Sequence, residues 1–233
     1  MKNLDDIALA LGNHIDSDDG MCAMEAVAWL ADEPHSDRPK CASPVISFFV
    51  RYLNDSLDDE ARQVLKNYVP RLIGSKNQDK EKERAKILAV ACAKDFLSIA
   101  LKSVSRKLDF KNEIKKLKSI KYKLTDEEFF DLWLLVNDIN LDQHLETKNL
   151  RMDDNPDFKY VNPDFKYVNH AILYAKTAIY SVKTTIYKDV IYRSEGYTTW
   201  TCDYVCHCLD AVSAINKRVF DPALSALNRA LKA

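Results

Sequence analysis

Apolar residues recur every three or four positions along most of this chain, and proline, glycine and capping residues cut the pattern into segments. In MCAMEAVAWLADE, Met21, Met24, Ala28 and Ala31 share one helical face, with Val27 and Leu30 beside them, and Pro34 ends the run. Ser43-Pro44 reads as an N-cap followed by proline in the first helical position, opening PVISFFVRYLND. Ser56 or Asp58 opens DDEARQVLKNYVPRLIG, with a kink expected at Pro70 and a glycine cap at Gly74. Residues 75–83 read as a polar connection or an early solvated turn. Ala85, Leu88, Ala89, Cys92, Phe96, Ile99 and Ala100 then predict a long amphipathic helix. A lysine-rich helix with a thin apolar stripe (Leu108, Ile114, Leu117, Ile120) is expected over 105–123. Thr125 and Glu128 form a capping box before EEFFDLWLLVNDI, whose apolar residues cover most of the circumference and predict a central helix.

The segment 140–168 carries a tandem repeat, NPDFKYV at 155–161 and again at 162–168. Prolines seven residues apart forbid one continuous helix, so an extended or turn-rich connection is expected. Ala171, Tyr174, Ala175, Ala178 and Val182 mark a long helix, and Cys202, Val205, Leu209, Val212 and Ile215 a second. Arg193–Thr199, with Gly196, separates them, and Asp221-Pro222 caps a last helix. No run alternates with the period of a strand. The pattern predicts an all-α chain, a multi-helix globular array or bundle of about eight to ten helices. Its expected parts are an N-terminal helical region 1–139, the connection 140–168 and a helical region 169–233 that packs on the first.

Composition narrows the function. The 233 residues include only four glycines, where average usage gives roughly four times as many. Phosphate-cradling loops and nucleophile elbows depend on glycine, and no GxGxxG, GxxxxGK[ST] or GxSxG occurs. The common nucleotide folds and α/β-hydrolases are thereby disfavoured. The net charge of −1 is laid out in blocks: 1–75 is net −6, 76–123 net +9, 124–161 net −7 and 162–233 net +3. No apolar run is long enough to span a membrane, and the N-terminus has acids where a signal peptide has bases. Six dispersed cysteines read as reduced thiols, and with these features predict a cytoplasmic protein without a membrane partner.

The densest group of chemically capable residues is His14, Cys22, Glu25, His35, Asp37 and Cys41. His14, Cys22, His35 and Cys41 offer two nitrogens and two sulfurs to a zinc ion, though without the close cysteine pair that makes zinc spacing specific. Cys22, expected in the first turn of a helix, is also a candidate nucleophile with His14 or His35 and Glu25 beside it, its thiol lowered by the helix dipole. The alternative is a small core cysteine between two loop histidines. Cys202, Cys206, His207 and Cys208 cannot all face one ion from a single helix. Lys107, Lys111, Lys115 and Lys118, within the basic stretch 102–123, either bind phosphates or coat a solvated face. Tyr197 and Trp200 head an aromatic-rich C-terminal region suited to a partner surface or to helix packing.

The run GNHIDSDDGMCAMEAVAWLADEPHSDRPKCASPVISFFVRYLND, continued by Pro70-Arg71-Leu72-Ile73-Gly74, resembles a family of bacterial and bacteriophage proteins with no assigned activity. That family's pattern resembles a histidine, then GMCxMEAVAWLAGE, then HSDxPxCxCPVI. The similarity covers about residues 12–75. Asp32 stands where the pattern has glycine, and Ala42-Ser43 replaces its second cysteine-containing pair. The resemblance implies no activity, but it favours His14, Cys22, Glu25, His35, Asp37 and Cys41 as the site.

The expected function is a non-enzymatic helical interaction protein, phage- or mobile-element-borne, that binds and modulates another macromolecule, a protein first of all. A Cys/His enzyme or zinc module at the N-terminal cluster is the alternative. Nucleic-acid binding through residues 102–123 is the third.

Overall fold

Caps and prolines set the helix starts. The computed structural model describes residues 2–16, 19–105, 108–141, 143, 163–187 and 195–233, with backbone alone at 163–164, 184–187 and 195–200. Its helices are α1 (Ala23–Leu30), α2 (Pro44–Ser56), α3 (Asp59–Arg62), α4 (Val69–Leu72), α5 (Gln78–Ala91), α6 (Ser98–Val104) and α7 (Lys111–Ser119). They continue with α8 (Asp126–Asn137), α9 (Pro163–Tyr187), α10 (Glu195–Ser213) and α11 (Phe220–Lys232). A π-helical turn, Cys92–Leu97, joins α5 to α6. Among the described residues there is no strand, only an isolated bridge between Leu9 and Met21. The all-α reading therefore holds. No helix of the described residues is long and apolar enough to cross a membrane.

Contacts divide the chain into two units, residues 1–84 with 227–233, and residues 85–226. In the first, α1 packs on α2 and α4. Met24 and Val27 of α1 meet a core that includes Ile46, Phe49, Val50 and Leu53 of α2 and Leu65, Val69 and Leu72 beyond it. Each such side chain contributes about 1.5–3 kcal/mol when fully buried. The Ser43 hydroxyl accepts from the Ile46 amide with Pro44 in the first turn, as the sequence predicts. Asp58 caps α3, and Gly74 takes a φ of 70° just past α4.

In the second unit α9 and α10 pair along their lengths, and α9 also packs on α8, α6 and the π turn. Thr125 and Glu128 form the predicted capping box of α8. Several expectations need correction. Every residue from Arg84 to Ala93 is buried, so the end of α5 and the start of the π turn are buried all round where an amphipathic helix is expected. The small side chains there (Ala85, Ala89 and Ala91 of α5, Ala93 of the π turn) let neighbours approach on every side. The helix expected to be central, α8, buries Phe129, Leu132 and Val136 but leaves Leu134 42% exposed. Finally, Pro163–Val168 opens α9, because proline is tolerated in a first helical turn. The first copy of the repeat lies outside the described residues. Gly196, expected in the connection, belongs to the first turn of α10.

The end of α1 carries a strained residue. The Asp32 amide donates to the Trp29 carbonyl at 3.3 Å and the Glu33 amide to the Ala28 carbonyl at 2.9 Å. This Schellman closure puts Asp32 at φ 56°, alone among the described non-glycine residues with positive φ. It is also where the resembling pattern carries glycine. Asp32→Gly is expected to stabilise the protein by about 0.5–1 kcal/mol, since it removes Cβ strain and an acid at the negative helix end. The Lys2–Asp32 ion pair it deletes is solvent-exposed and worth little. Thermal unfolding checks this; a gain of the same size from Asp32→Ala would refute the backbone explanation.

Candidate functional site

Glu25 lies three residues into α1, where a carboxylate can fold back onto the helix's N-terminal amides. Cys22 is the N-cap residue: its Sγ accepts from the Glu25 amide at 3.4 Å, and its own amide donates to Glu25 Oε2 at 2.7 Å. This is a capping box with cysteine in the serine position. The same carboxylate receives the incoming loop. The His14 amide donates to Oε1 at 2.7 Å, and His14 Nδ1 lies 2.7 Å from Oε2. His35 Nε2 lies 3.0 Å from the His14 carbonyl and 3.5 Å from Glu25 Oε1. Gly20, at φ 117°, passes so close to the His14 ring that a Cβ there would sit 3.3 Å from it.

Glu25 is only 1% exposed. Burial alone raises a carboxyl pKa, but the two amides and the His14 and Cys22 side chains outweigh it, and the Glu25 carboxyl is held below its usual value. The Cys22 thiol moves the opposite way from the sequence expectation. Burial, together with the neighbouring Glu25 carboxylate and despite backbone donors, pushes it up to about 12. A thiol so protonated is a weak nucleophile, so the arrangement gives Cys22 the chemistry of a cap.

The structure thus joins His14, Cys22, Glu25 and His35. It leaves the two remaining members of the sequence cluster with other partners. Asp37 lies 3.5 Å from Arg51 and 3.9 Å from Arg38, and its carbonyl accepts from Arg51 at 3.1 Å. The Cys41 amide donates to Glu33 Oε1 at 2.8 Å and its carbonyl accepts from the Lys76 amide. Among the described residues no three His, Cys, Asp or Glu side chains are placed to hold a metal ion together.

Asn54 was not among the sequence candidates. It is fully buried on α2, its Oδ1 accepts from the Ala23 amide at 3.0 Å, and its Nδ2 donates to the Ala10 carbonyl at 2.9 Å. Its signal in the sequence is a polar residue four positions after Val50, on the apolar face of α2. Asp55 accepts from the Gly12 amide at 3.0 Å, and Gln63 bonds both the amide and the carbonyl of Leu9. Residues 9–15 are therefore irregular in conformation yet tied down at Leu9, Ala10, Gly12 and His14. From this loop Leu11 is 60% and Ile15 88% exposed. An open groove of about 760 Å³ runs beside it, lined by Ile7, Ala8 and Leu11 together with Asp5, Asp6, Asp59 and Glu60.

The other sequence candidates are spread elsewhere. Lys111, Lys115 and Lys118 are exposed on α7; Lys107 and the side chains of Tyr197 and Trp200 lie outside the described residues. Cys202, Cys206 and Cys208 are all buried, while the exposed His207 stacks on Tyr174 and lies 3.7 Å from Asp203. Comparison with protein-family models gives no match, and comparisons with curated proteins and with solved structures give none either.

Proposed function

We propose that this chain is a non-enzymatic interaction protein that docks another protein on the loop carrying Leu11 and Ile15. The observation that carries the reading is the cost of building that loop. Buried Glu25 and Asn54 are committed to holding an irregular backbone that turns two large apolar side chains to solvent. A buried charge stabilises a fold less well than apolar packing of the same volume, so its use here supports a conformation needed for something else. Rigid loops with exposed apolar anchors are common partner contacts, because little entropy is lost on binding. In keeping with the resemblance over residues 12–75, we take the protein to be phage- or mobile-element-borne and to act in the cytoplasm.

One observation favours the catalytic alternative. The His14–Glu25 pair, at 2.7 Å, has the carboxylate–imidazole geometry of a general base. The raised thiol of Cys22 argues against using it as the nucleophile. The basic face of α7 keeps nucleic-acid binding as the third reading.

The test is site-specific photocrosslinking in the source cell, with a photoreactive residue at position 15 or at position 112 on α7. A discrete protein adduct is expected from position 15, and Leu11→Ser should abolish it. Adducts from position 112 alone, sensitive to nuclease, would overturn the proposal in favour of nucleic-acid binding.

A further inference from the structure

We infer that the groove beside this loop takes a basic amphipathic segment of the partner, with apolar side chains against Ile7, Ala8 and Leu11 and lysine or arginine against its carboxylates. The inference rests on the proposed interaction function and specifies the partner's chemistry. Part of the lining is apolar: Ile7, Ala8 and Leu11 contribute to it, with Leu9, which the Gln63 side-chain amide holds at 2.9 and 3.0 Å. The rest is largely acidic. Asp5, Asp6, Asp59 and Glu60 line it, and Lys66 is the single cation among its lining residues. All four carboxylate residues are exposed, and Asp59 alone is in a salt bridge, 2.6 Å from Arg62.

Those facts select the occupant. An acidic or nucleic-acid segment would meet four carboxylates against one lysine, which disfavours it by repulsion at close range. A purely polar basic segment would leave the apolar lining wet. A segment with both features satisfies the apolar and the acidic lining together, and the groove, at about 760 Å³, holds a few side chains. The surrounding charge agrees, since residues 1–75 are net −6.

The experiment measures fluorescence anisotropy of three short labelled peptides on the full-length chain: one of lysine and leucine in helical register, one with glutamate for lysine, and one with serine for leucine. The lysine/leucine peptide should bind, more weakly as salt rises, and the other two at least tenfold less well. The quadruple variant Asp5→Asn, Asp6→Asn, Asp59→Asn, Glu60→Gln should lose at least tenfold in affinity and most of the salt dependence. Because Asp59 supports Arg62, the double variant Asp5→Asn, Asp6→Asn is measured alongside, and should show part of that loss with unaltered thermal unfolding. Equal binding of the glutamate peptide, undiminished binding to both variants, or no binding at all would overturn the inference. A crosslink from position 15 combined with no peptide binding would leave the interaction function standing and remove this inference alone.

Discussion

Glu25→Gln should lower stability by about 2–4 kcal/mol, a large effect for one isosteric change. The carboxylate accepts from the His14 and Cys22 amides and faces the imidazoles of His14 and His35. Glutamine keeps one acceptor oxygen and points an NH2 group at donors on the other side, so at least one buried donor loses its partner. Glu25→Ala, which orphans all of them, should cost as much or more. The effect has a pH signature. Because the folded carboxyl lies below its usual value, its contribution is fully present above the unfolded pKa of about 4.3. It fades as pH falls through the folded value. Urea unfolding from pH 7 to pH 3 should therefore show the wild-type advantage over Glu25→Gln shrinking below about pH 4. A difference that stays constant over that range would sink this account of Glu25.

The second large effect concerns Glu81 and Arg84, a buried pair at the start of α5. Arg84 lies 2.7 Å from Glu81 and donates to the Ser75 carbonyl at the same distance, while the Ser43 hydroxyl donates to Glu81 at 2.6 Å. Truncating either partner to alanine strands the other charge in the core, at about 3–5 kcal/mol. Replacing both, as Glu81→Leu with Arg84→Met, should be close to neutral, because apolar packing takes the place of two desolvated ions. Among the described residues Arg84 Nε has no hydrogen-bond partner, so the wild-type pair is itself incompletely satisfied. The check is a double-mutant cycle from urea midpoints at constant m. Additive losses, with the double variant worse than either single one, would contradict it.

Much of the helical pattern was legible because caps and prolines act locally: Ser43-Pro44 and Thr125/Glu128 start helices where the residues predict. The N-cap at Cys22 was hidden because serine, threonine, aspartate and asparagine dominate that position; the Glu25 three residues on was the available clue. The π turn defeated periodicity. A wider turn shifts the phase of the residues around it, so Ile99, predicted on the core face, is half-buried while Leu97 and Ser98 are buried. Residues 75–83 read as solvated because charged residues crowd there, yet Glu81 is in the core, a choice made by Ser43 and Arg84 from elsewhere in the fold. The candidate site was partly legible for the same reason. Its residue types were visible, but which of them share Glu25 is decided by the path of the loop. The groove joins residues 5–11 to 59–66, and no local pattern announces that meeting.

The first unit is discontinuous, completed by residues 227–233. During synthesis residues 1–84 precede the second unit, but the last part of their own unit exists only after all of 85–226 has been made. Loop-closure entropy grows slowly with length, at about 0.6 kcal/mol per doubling, so this arrangement costs little at equilibrium. It acts on timing instead. The unit that holds Leu11, Ile15 and the groove is complete only once the residues of the second unit have been made and are available to fold.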